Sequence, residues 1–230
     1  MSDPLAIDVI TIFPQMLRGF LDESMLKRAA QKGAVQVRTI DLRAFTKDRH
    51  QSTDDRPFGG GPGMIMKPEP IFEAVESVRS PGARVILMTP QGRPFRQALA
   101  AELAGARHLI LVCGHYEGVD ERVRAHLVTD EISIGDYVLT YGALAAAVVV
   151  DAVVRLLPGV LGAAEATAEE SFTAGRLEYP QYTRPRVFRG LAVPEVLVSG
   201  NHEEIARWKQ EASERRTRER RPDLLEQVKS

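Results

Sequence analysis

Four carboxylates and one arginine lie in sequence contexts that make them candidates for catalysis or substrate binding. Glu117 and Asp136 each lie in a glycine-flanked loop, and Glu169 and Glu170 lie together in an acidic stretch. A carboxylate held in a cleft can act as a general base, although any one of them can equally be a solvated surface group. Arg155 interrupts an apolar stretch. It therefore needs an anionic partner, which is either a structural carboxylate or a substrate.

The segment FGGGPGM, residues 58–64, places four glycines around one proline. Such a run lets the backbone approach a ligand or another segment closely, or it forms a tight turn and nothing more. It lacks the Gly-Lys-Ser/Thr ending of a P-loop and the spacing of a dinucleotide fingerprint. It therefore does not identify a nucleotide-phosphate site.

The histidines and the single cysteine predict neither a metal site nor a nucleophile. The five histidines are scattered, without cysteine partners at a metal-ligand spacing. Cys113 ends an apolar strand, which favours inert burial, and a lone cysteine forms no intramolecular disulfide.

The composition is that of a globular protein with one large core, or one large and one small domain. The chain has 230 residues and a net charge of −1, so its overall charge indicates no partner. Residues 205–221 are locally basic, which indicates either an anionic partner or a solvated helix face. The apolar stretch 143–157 is too short to span a membrane, and the first residues lack a signal-peptide pattern. We therefore expect a cytoplasmic protein without a membrane partner.

Strand-like and helix-like segments alternate over the first 160 residues. This alternation predicts a parallel sheet with helices on both faces. Strands are expected at 5–13, 35–40, 83–89, 108–113 and 131–134, and helices at 24–33, 68–78, from Pro94 onward and at 143–157.

In such a sheet, ligands bind at the carboxyl ends of the strands. Three polar loops lie there: MTPQGR after the third strand, GHYEGVDER after the fourth and GDYVLTYG after the fifth. From about residue 160 to 178 the chain becomes small, polar and acidic, as a mobile linker would be. A smaller helical unit follows, in which Asn201 and Glu204 have the spacing of a capping box.

Seven motifs together resemble one family, the bacterial tRNA (guanine-N1)-methyltransferases of the TrmD type, within the SPOUT superfamily. The resemblance covers residues 5 to 222, with the motifs in the family's order and at about its spacing. They are DDRPFGGGPGM (54–64), PQGR (90–93), LVCGHYEGVDERV (111–123), EISIGDYVL (131–139), RLLPGVLG (155–162), YTRP (182–185) and VPEVLVSGNHEEIARW (193–208).

The resemblance implies a fold and an assembly that periodicity alone does not predict. The parallel sheet would carry a deep trefoil knot near the end of the large domain, although un-knotted chains are the general rule. Residues 1–161 would form the knotted methyltransferase domain, 162–177 a mobile linker and 178–230 a helical tRNA-binding domain. Two copies would form a homodimer that shares its active sites.

The implied reaction moves a methyl group from S-adenosyl-L-methionine to N1 of the guanosine immediately 3′ of the tRNA anticodon. Guanine would lie near Gly63 and Glu117, and the sequence carries no signal for Mg²⁺ either way. tRNA would contact Arg184, Arg186, Arg207, Arg215 and Arg218. The cofactor would contact Thr89, Pro90, Gly114, Tyr116, Glu117, Ile134, Gly135, Asp136, Tyr137, Val138, Leu139 and Gly142.

The family's general base is an aspartate of the partner subunit's linker, assisted by an arginine. Arg155 matches the arginine, whereas Glu170 aligns with the aspartate and is one methylene longer. A second departure comes directly after Leu139. The family usually has Ser-Gly-Gly-Glu-Leu there, whereas this chain has TYGAL (140–144).

These departures leave two alternatives open beside the active enzyme. One is a non-catalytic RNA-binding paralogue, whose cofactor pocket Tyr141 and Ala143 would weaken. The other is a methyltransferase that acts on another base or another RNA.

Overall fold

The computed structural model describes residues 3–161 and 169–226. The chain forms two compact units, Met1–Gly162 and Ala163–Ser230. None of the helices in the described ranges combines the length and the apolar character that a membrane span requires.

The first unit is built on a five-stranded parallel sheet with the order β2-β1-β6-β5-β7, beside which β3 and β4 form a small antiparallel pair. The predicted parallel sheet is therefore confirmed. The strands are β1 (Leu5–Thr11), β2 (Val35–Asp41), β3 (Asp54–Asp55), β4 (Ile65–Met66), β5 (Arg84–Pro94), β6 (His108–Cys113) and β7 (Asp130–Ser133).

Helices cover both faces of the sheet, as predicted. Apolar residues of α1, α2, α4 and α6 pack on one face, and those of α3, α5 and a short 3₁₀ helix pack on the other. These elements are α1 (Gln15–Leu21), α2 (Ser24–Gln31), the 3₁₀ helix (Leu42–Phe45), α3 (Pro68–Val78), α4 (Gln97–Ala104), α5 (Glu121–His126) and α6 (Gly142–Val154).

The prediction for residues 90–96 was wrong. We expected a loop at PQGR and a helix from Pro94, but β5 continues to Pro94 and α4 begins at Gln97. The cause is a second pairing with β7, because both Met88 and Arg93 oppose Ile132 across a register shift. A Cβ built on Gly92 would lie 2.4 Å from the Ile132 amide nitrogen, so only glycine permits this approach.

The second unit consists of one long helix, short helical segments and a hairpin. One half of the predicted capping box forms at the start of α7, since Asn201 Oδ1 accepts a hydrogen bond from the Glu204 amide at 3.3 Å. The Asn201 amide donates to Ser199 Oγ at 3.1 Å and not to the Glu204 side chain. The elements are β8 (Val187–Phe188), β9 (Leu191–Ala192), a 3₁₀ helix (Glu195–Val198), α7 (His202–Arg220) and α8 (Asp223–Glu226).

The predicted mobile linker falls partly outside the described residues, which do not include 162–168. Its last residue, Leu177, is hydrogen-bonded to α7 at two points. The Leu177 amide donates to Thr217 Oγ1 at 2.9 Å, and Ser213 Oγ donates to the Leu177 carbonyl at 2.6 Å. The described end of the predicted linker is therefore attached to the second unit.

Candidate functional site

The bulged segment within β5 (residues 89–92) and the loops that follow β6 and β7 lie side by side because these strands are neighbours in the sheet. They enclose a cleft of about 360 Å³, here called the three-loop cleft, which is within the size range of small-molecule sites. Its walls are residues 87–91, 114–119 and 132–142 except Asp136, together with Glu121, Arg124 and Ala145.

The three-loop cleft brings together eleven of the twelve residues predicted to contact a cofactor. The twelfth, Asp136, belongs to the same loop as its neighbours but does not line the cleft. Glu117, which we also predicted for chemistry, lies in the wall. The loops after β6 and β7 that were chosen from sequence therefore meet at this edge of the sheet, whereas the third predicted loop is a bulged segment of β5 beside them.

The loop after β6 is held in place by the segment that contains β4. The Glu117 amide donates to the Met64 carbonyl at 3.0 Å, and the Met66 amide donates to the Gly118 carbonyl at 2.9 Å. This pairing brings Gly63 against Glu117. A Cβ on Gly63 would lie 2.4 Å from Glu117 Cγ, and the φ of Gly63 is +84°, so glycine is required on two grounds. The predicted close approach in FGGGPGM is confirmed at this position.

The loop after β7 presents backbone groups to the three-loop cleft. The Tyr137 ring folds back over Gly135, where a Cβ would lie 2.4 Å from it. Among the described residues, no backbone carbonyl accepts a hydrogen bond from the amides of Val138, Leu139 or Thr140. These amides line a cleft and are available to a ligand.

The start of α6 touches the end of β6 directly. The Gly142 amide donates to the Gly114 carbonyl at 2.7 Å, and a Cβ on Gly142 would lie 2.9 Å from the Gly114 nitrogen. In the segment that departs from the family pattern, Tyr141 is extended and its ring lies near Phe13. Ala143 is buried in the core below.

The titratable groups at the strand ends differ in character. Burial raises the pKa of Cys113 to about 12, so the thiol stays protonated at neutral pH, and the predicted inert burial is confirmed. Burial and the negative charge of Asp54 raise the pKa of Tyr116, so its phenol remains a hydrogen-bond donor. Within residues 3–161 and 169–226, no group of three or more His, Cys, Asp or Glu side chains is placed to hold a metal ion.

The other predicted catalytic residues belong to different units. Arg155 is half-buried and caps the C-terminus of α6 in the first unit. Glu170 is half-buried in the second unit, where it lines a separate pocket of about 450 Å³ together with Glu169 and Lys209.

The five arginines predicted to contact tRNA are all exposed on the second unit. Arg186 already pairs with Glu195 at 2.7 Å. The other four exposed arginines of the predicted tRNA-binding set are Arg184, Arg207, Arg215 and Arg218.

Thirteen of the 24 cleft residues were not among the predicted site residues, and they include Gln91, His115, Arg124 and Tyr141. Gln91, His115 and Tyr141 lie inside the loops that were singled out, so their position was the available signal. Arg124 follows those loops and enters from α5, where its guanidinium lies 3.0 Å from the Glu131 carboxylate. Nothing in the local sequence marks it as part of a site.

The chain matches known proteins over nearly its whole length. The model of the family described as tRNA (Guanine-1)-methyltransferase TrmD matches residues 5–227. A relative from Moorella thermoacetica, named tRNA (guanine-N(1)-)-methyltransferase, is 60% identical over 228 residues, covering 97% of this chain and 91% of the relative. Relatives of the same name from Geobacillus kaustophilus and Staphylococcus epidermidis are 58% and 56% identical, cover 97% of this chain, and are themselves covered to 92% and 91%. The chain therefore belongs to the tRNA (guanine-1)-methyltransferase TrmD family.

Proposed function

We propose that this protein is a tRNA (guanine-N1)-methyltransferase that uses S-adenosyl-L-methionine and modifies the guanosine immediately 3′ of the anticodon. The observation that carries the proposal is the near-full-length family match, with relatives of that name at 55–60% identity. The three-loop cleft supplies a site of suitable size in the same chain.

The residues of the three-loop cleft fit the proposed cofactor. Gly114 and Gly118 line the cleft without a side chain that would cover their backbone. The amides of Val138, Leu139 and Thr140 can donate to the nitrogen and oxygen acceptors of adenine and ribose. We assign cofactor contacts to the twelve residues predicted from sequence, with Asp136 as the least direct. When bound, the cofactor supplies an electrophilic methyl group on its sulfonium.

Guanine would lie beside Gly63 and Glu117. A glycine at 63 removes the side chain that would fill the space next to the Glu117 carboxylate. That carboxylate is an acceptor only, and the donors of guanine are its N1–H and its amino group. Glu117 would therefore orient the base through hydrogen bonds, which is the positioning that a transfer between two bound groups requires.

The N1 proton must leave as the methyl group arrives, and we assign its removal to Glu170 of the partner subunit, assisted by Arg155. A carboxylate base typically contributes about 10²–10⁴-fold to such a step.

The assembly and the domain roles belong to the same proposal. Residues 1–161 would form a knotted cofactor-binding domain, 162–177 the interdomain linker, and 178–230 a helical tRNA-binding domain that uses its exposed arginines. The protein would act as a homodimer in the cytoplasm, where tRNA is modified. Methyl transfer measured with and without Mg²⁺ tests whether the metal takes part.

The test is a methyl-transfer assay with labelled S-adenosyl-L-methionine and two tRNA transcripts. One transcript carries guanosine 3′ of the anticodon, and the control carries adenosine there. We expect label only in the first, recovered as N1-methylguanosine after digestion. Binding of tRNA without transfer would support the non-catalytic paralogue, and a different methylated nucleoside would support a methyltransferase that acts on another base.

A further inference from the structure

His115 joins the two loops that form opposite walls of the three-loop cleft. Its Nδ1 lies 2.9 Å from the carbonyl oxygen of Thr140, which is 25 residues further along the chain. A carbonyl oxygen can only accept, so Nδ1 must carry the proton and donate it. In the neutral ring this leaves Nε2 as the nitrogen with the lone pair.

The orientation of the imidazole is set by three rings around it. Phe13 meets it edge-on, with ring centroids 5.4 Å apart at an angle of 89°. Tyr116 lies 4.2 Å away and Tyr141 lies 5.9 Å away, both tilted. Aromatic contacts of this kind restrict rotation of the side chain, so the Nδ1–H is held on the Thr140 carbonyl.

Within the described part of the chain, the two loops share one further backbone hydrogen bond, between the Gly142 amide and the Gly114 carbonyl at 2.7 Å. That bond lies at the junction of β6 and α6, whereas the His115 contact lies one residue further along the loop after β6 and two residues earlier in the loop after β7. Without it, residues 137–141 would be held to the loop after β6 at one end only.

We propose that His115 is a positioning residue, whose Nδ1–H fastens the loop after β7 to the loop after β6 and holds the cleft walls at the spacing that the cofactor needs. This inference rests on the proposed function for the identity of the cofactor. It assigns to His115 no contact with the reacting atoms.

Two variants separate the hydrogen bond from the ring contacts. His115→Phe keeps an aromatic ring and loses the donor. His115→Asn loses the ring but places its amide nitrogen at the position of Nδ1. We expect the Kd for S-adenosyl-L-methionine, measured by calorimetry, to rise about five- to tenfold in His115→Phe and to stay within about threefold of wild type in His115→Asn. The kcat at saturating cofactor should change little in either, so the loss appears in KM.

Two readouts need no cofactor. The ¹⁵N NMR shifts of His115 should report the Nδ1–H tautomer, with the signal assigned by its loss in His115→Asn. Hydrogen exchange of the Gly142 amide, which donates to the Gly114 carbonyl, should be about tenfold faster in His115→Phe than in wild type, and near wild type in His115→Asn. If wild type fails to bind the cofactor, the proposed function fails, while tautomer and exchange still decide the role of His115.

Three results would overturn the inference. They are an Nε2–H tautomer, wild-type exchange and affinity in His115→Phe, and equal losses in both variants accompanied by an equal fall in Tm. The last would mean that His115 only fills space.

Discussion

Gly142→Ala tests how strictly the end of β6 and the start of α6 must touch. The added Cβ would lie 2.9 Å from the Gly114 nitrogen, 3.0 Å from Cys113 Cα and 3.2 Å from the Cys113 carbonyl carbon. Ordinary carbon contacts lie at about 3.5–4.0 Å, so the backbones must separate by roughly half an ångström. Both partners are main chain, and no side-chain rotation can relieve the contact.

The cost is that of overpacking, about 1–3 kcal/mol, reduced by about 0.4–1 kcal/mol because alanine has less freedom than glycine in the unfolded chain. We therefore expect the free energy of unfolding to fall by about 1–2 kcal/mol. For a chain of this size that is a fall in Tm of about 2–8 °C. Because the shift also strains the 2.7 Å bond from Gly142 to Gly114, the Kd for S-adenosyl-L-methionine should rise.

Gly19→Ala is the matched control. Gly19 lies within α1, and a Cβ there would meet no atom within 4 Å. Alanine should therefore raise the free energy of unfolding by about 0.5–1 kcal/mol and leave cofactor affinity unchanged. Calorimetry gives both Tm and Kd for the two variants. The reasoning is refuted if Gly142→Ala keeps the wild-type Tm and Kd, or if Gly19→Ala loses as much stability.

Three further outcomes are expected. Glu170→Ala should abolish methyl transfer in the tRNA assay while calorimetry finds near-normal cofactor binding, and a faster Glu170→Asp would show that the longer side chain is a handicap. Burial raises the pKa of Asp130, but hydrogen bonds from Arg84 outweigh it, so the net shift is downward. Stability from this carboxylate is therefore present above its unfolded pKa of about 3.9 and is lost as pH falls through the lower folded value. Denaturant unfolding between about pH 5 and pH 2 should show a shallower decline in Asp130→Asn, and an unchanged decline would count against this account. Affinity for tRNA should fall steeply with salt, and Arg215→Ala should reduce the slope of log affinity against log salt concentration by about 1. Arg221→Ala removes an arginine that is already paired with a carboxylate, so it should change this slope less.

Short sequence patterns predicted an element correctly wherever its structure depends on residues that are close together in the sequence. The uninterrupted apolar run HLILVC predicted a strand covered on both faces, and all six residues of β6 are buried. Pro68 near a helix start and the apolar period after it predicted α3 with its observed bounds. Asn201 followed by Glu204 predicted the cap of α7. Each of these signals is complete within a few residues.

Contacts between distant segments could not be predicted in this way. The path of β5 through Pro94 depends on a second pairing with Ile132, which lies nearly forty residues later. The approach of Gly63 to Glu117 depends on β4 pairing with the loop after β6. The glycines predicted that another segment would approach the backbone closely, because only glycine leaves room for such a contact. Which segment makes the contact is determined by the order and pairing of the strands.

The same distinction explains the departure from the family pattern at residues 140–144. In the family pattern that the resemblance implies, two adjacent glycines stand where this chain has Tyr141 and Gly142. Tyr141 has φ −157°, an extended conformation open to any residue, and its side chain finds Phe13 and His115 as neighbours. At Gly142 a side chain would meet the main chain of Cys113 and Gly114. The chain has thus replaced the glycine whose backbone conformation does not require it and has kept the one that the packing of α6 against β6 does require.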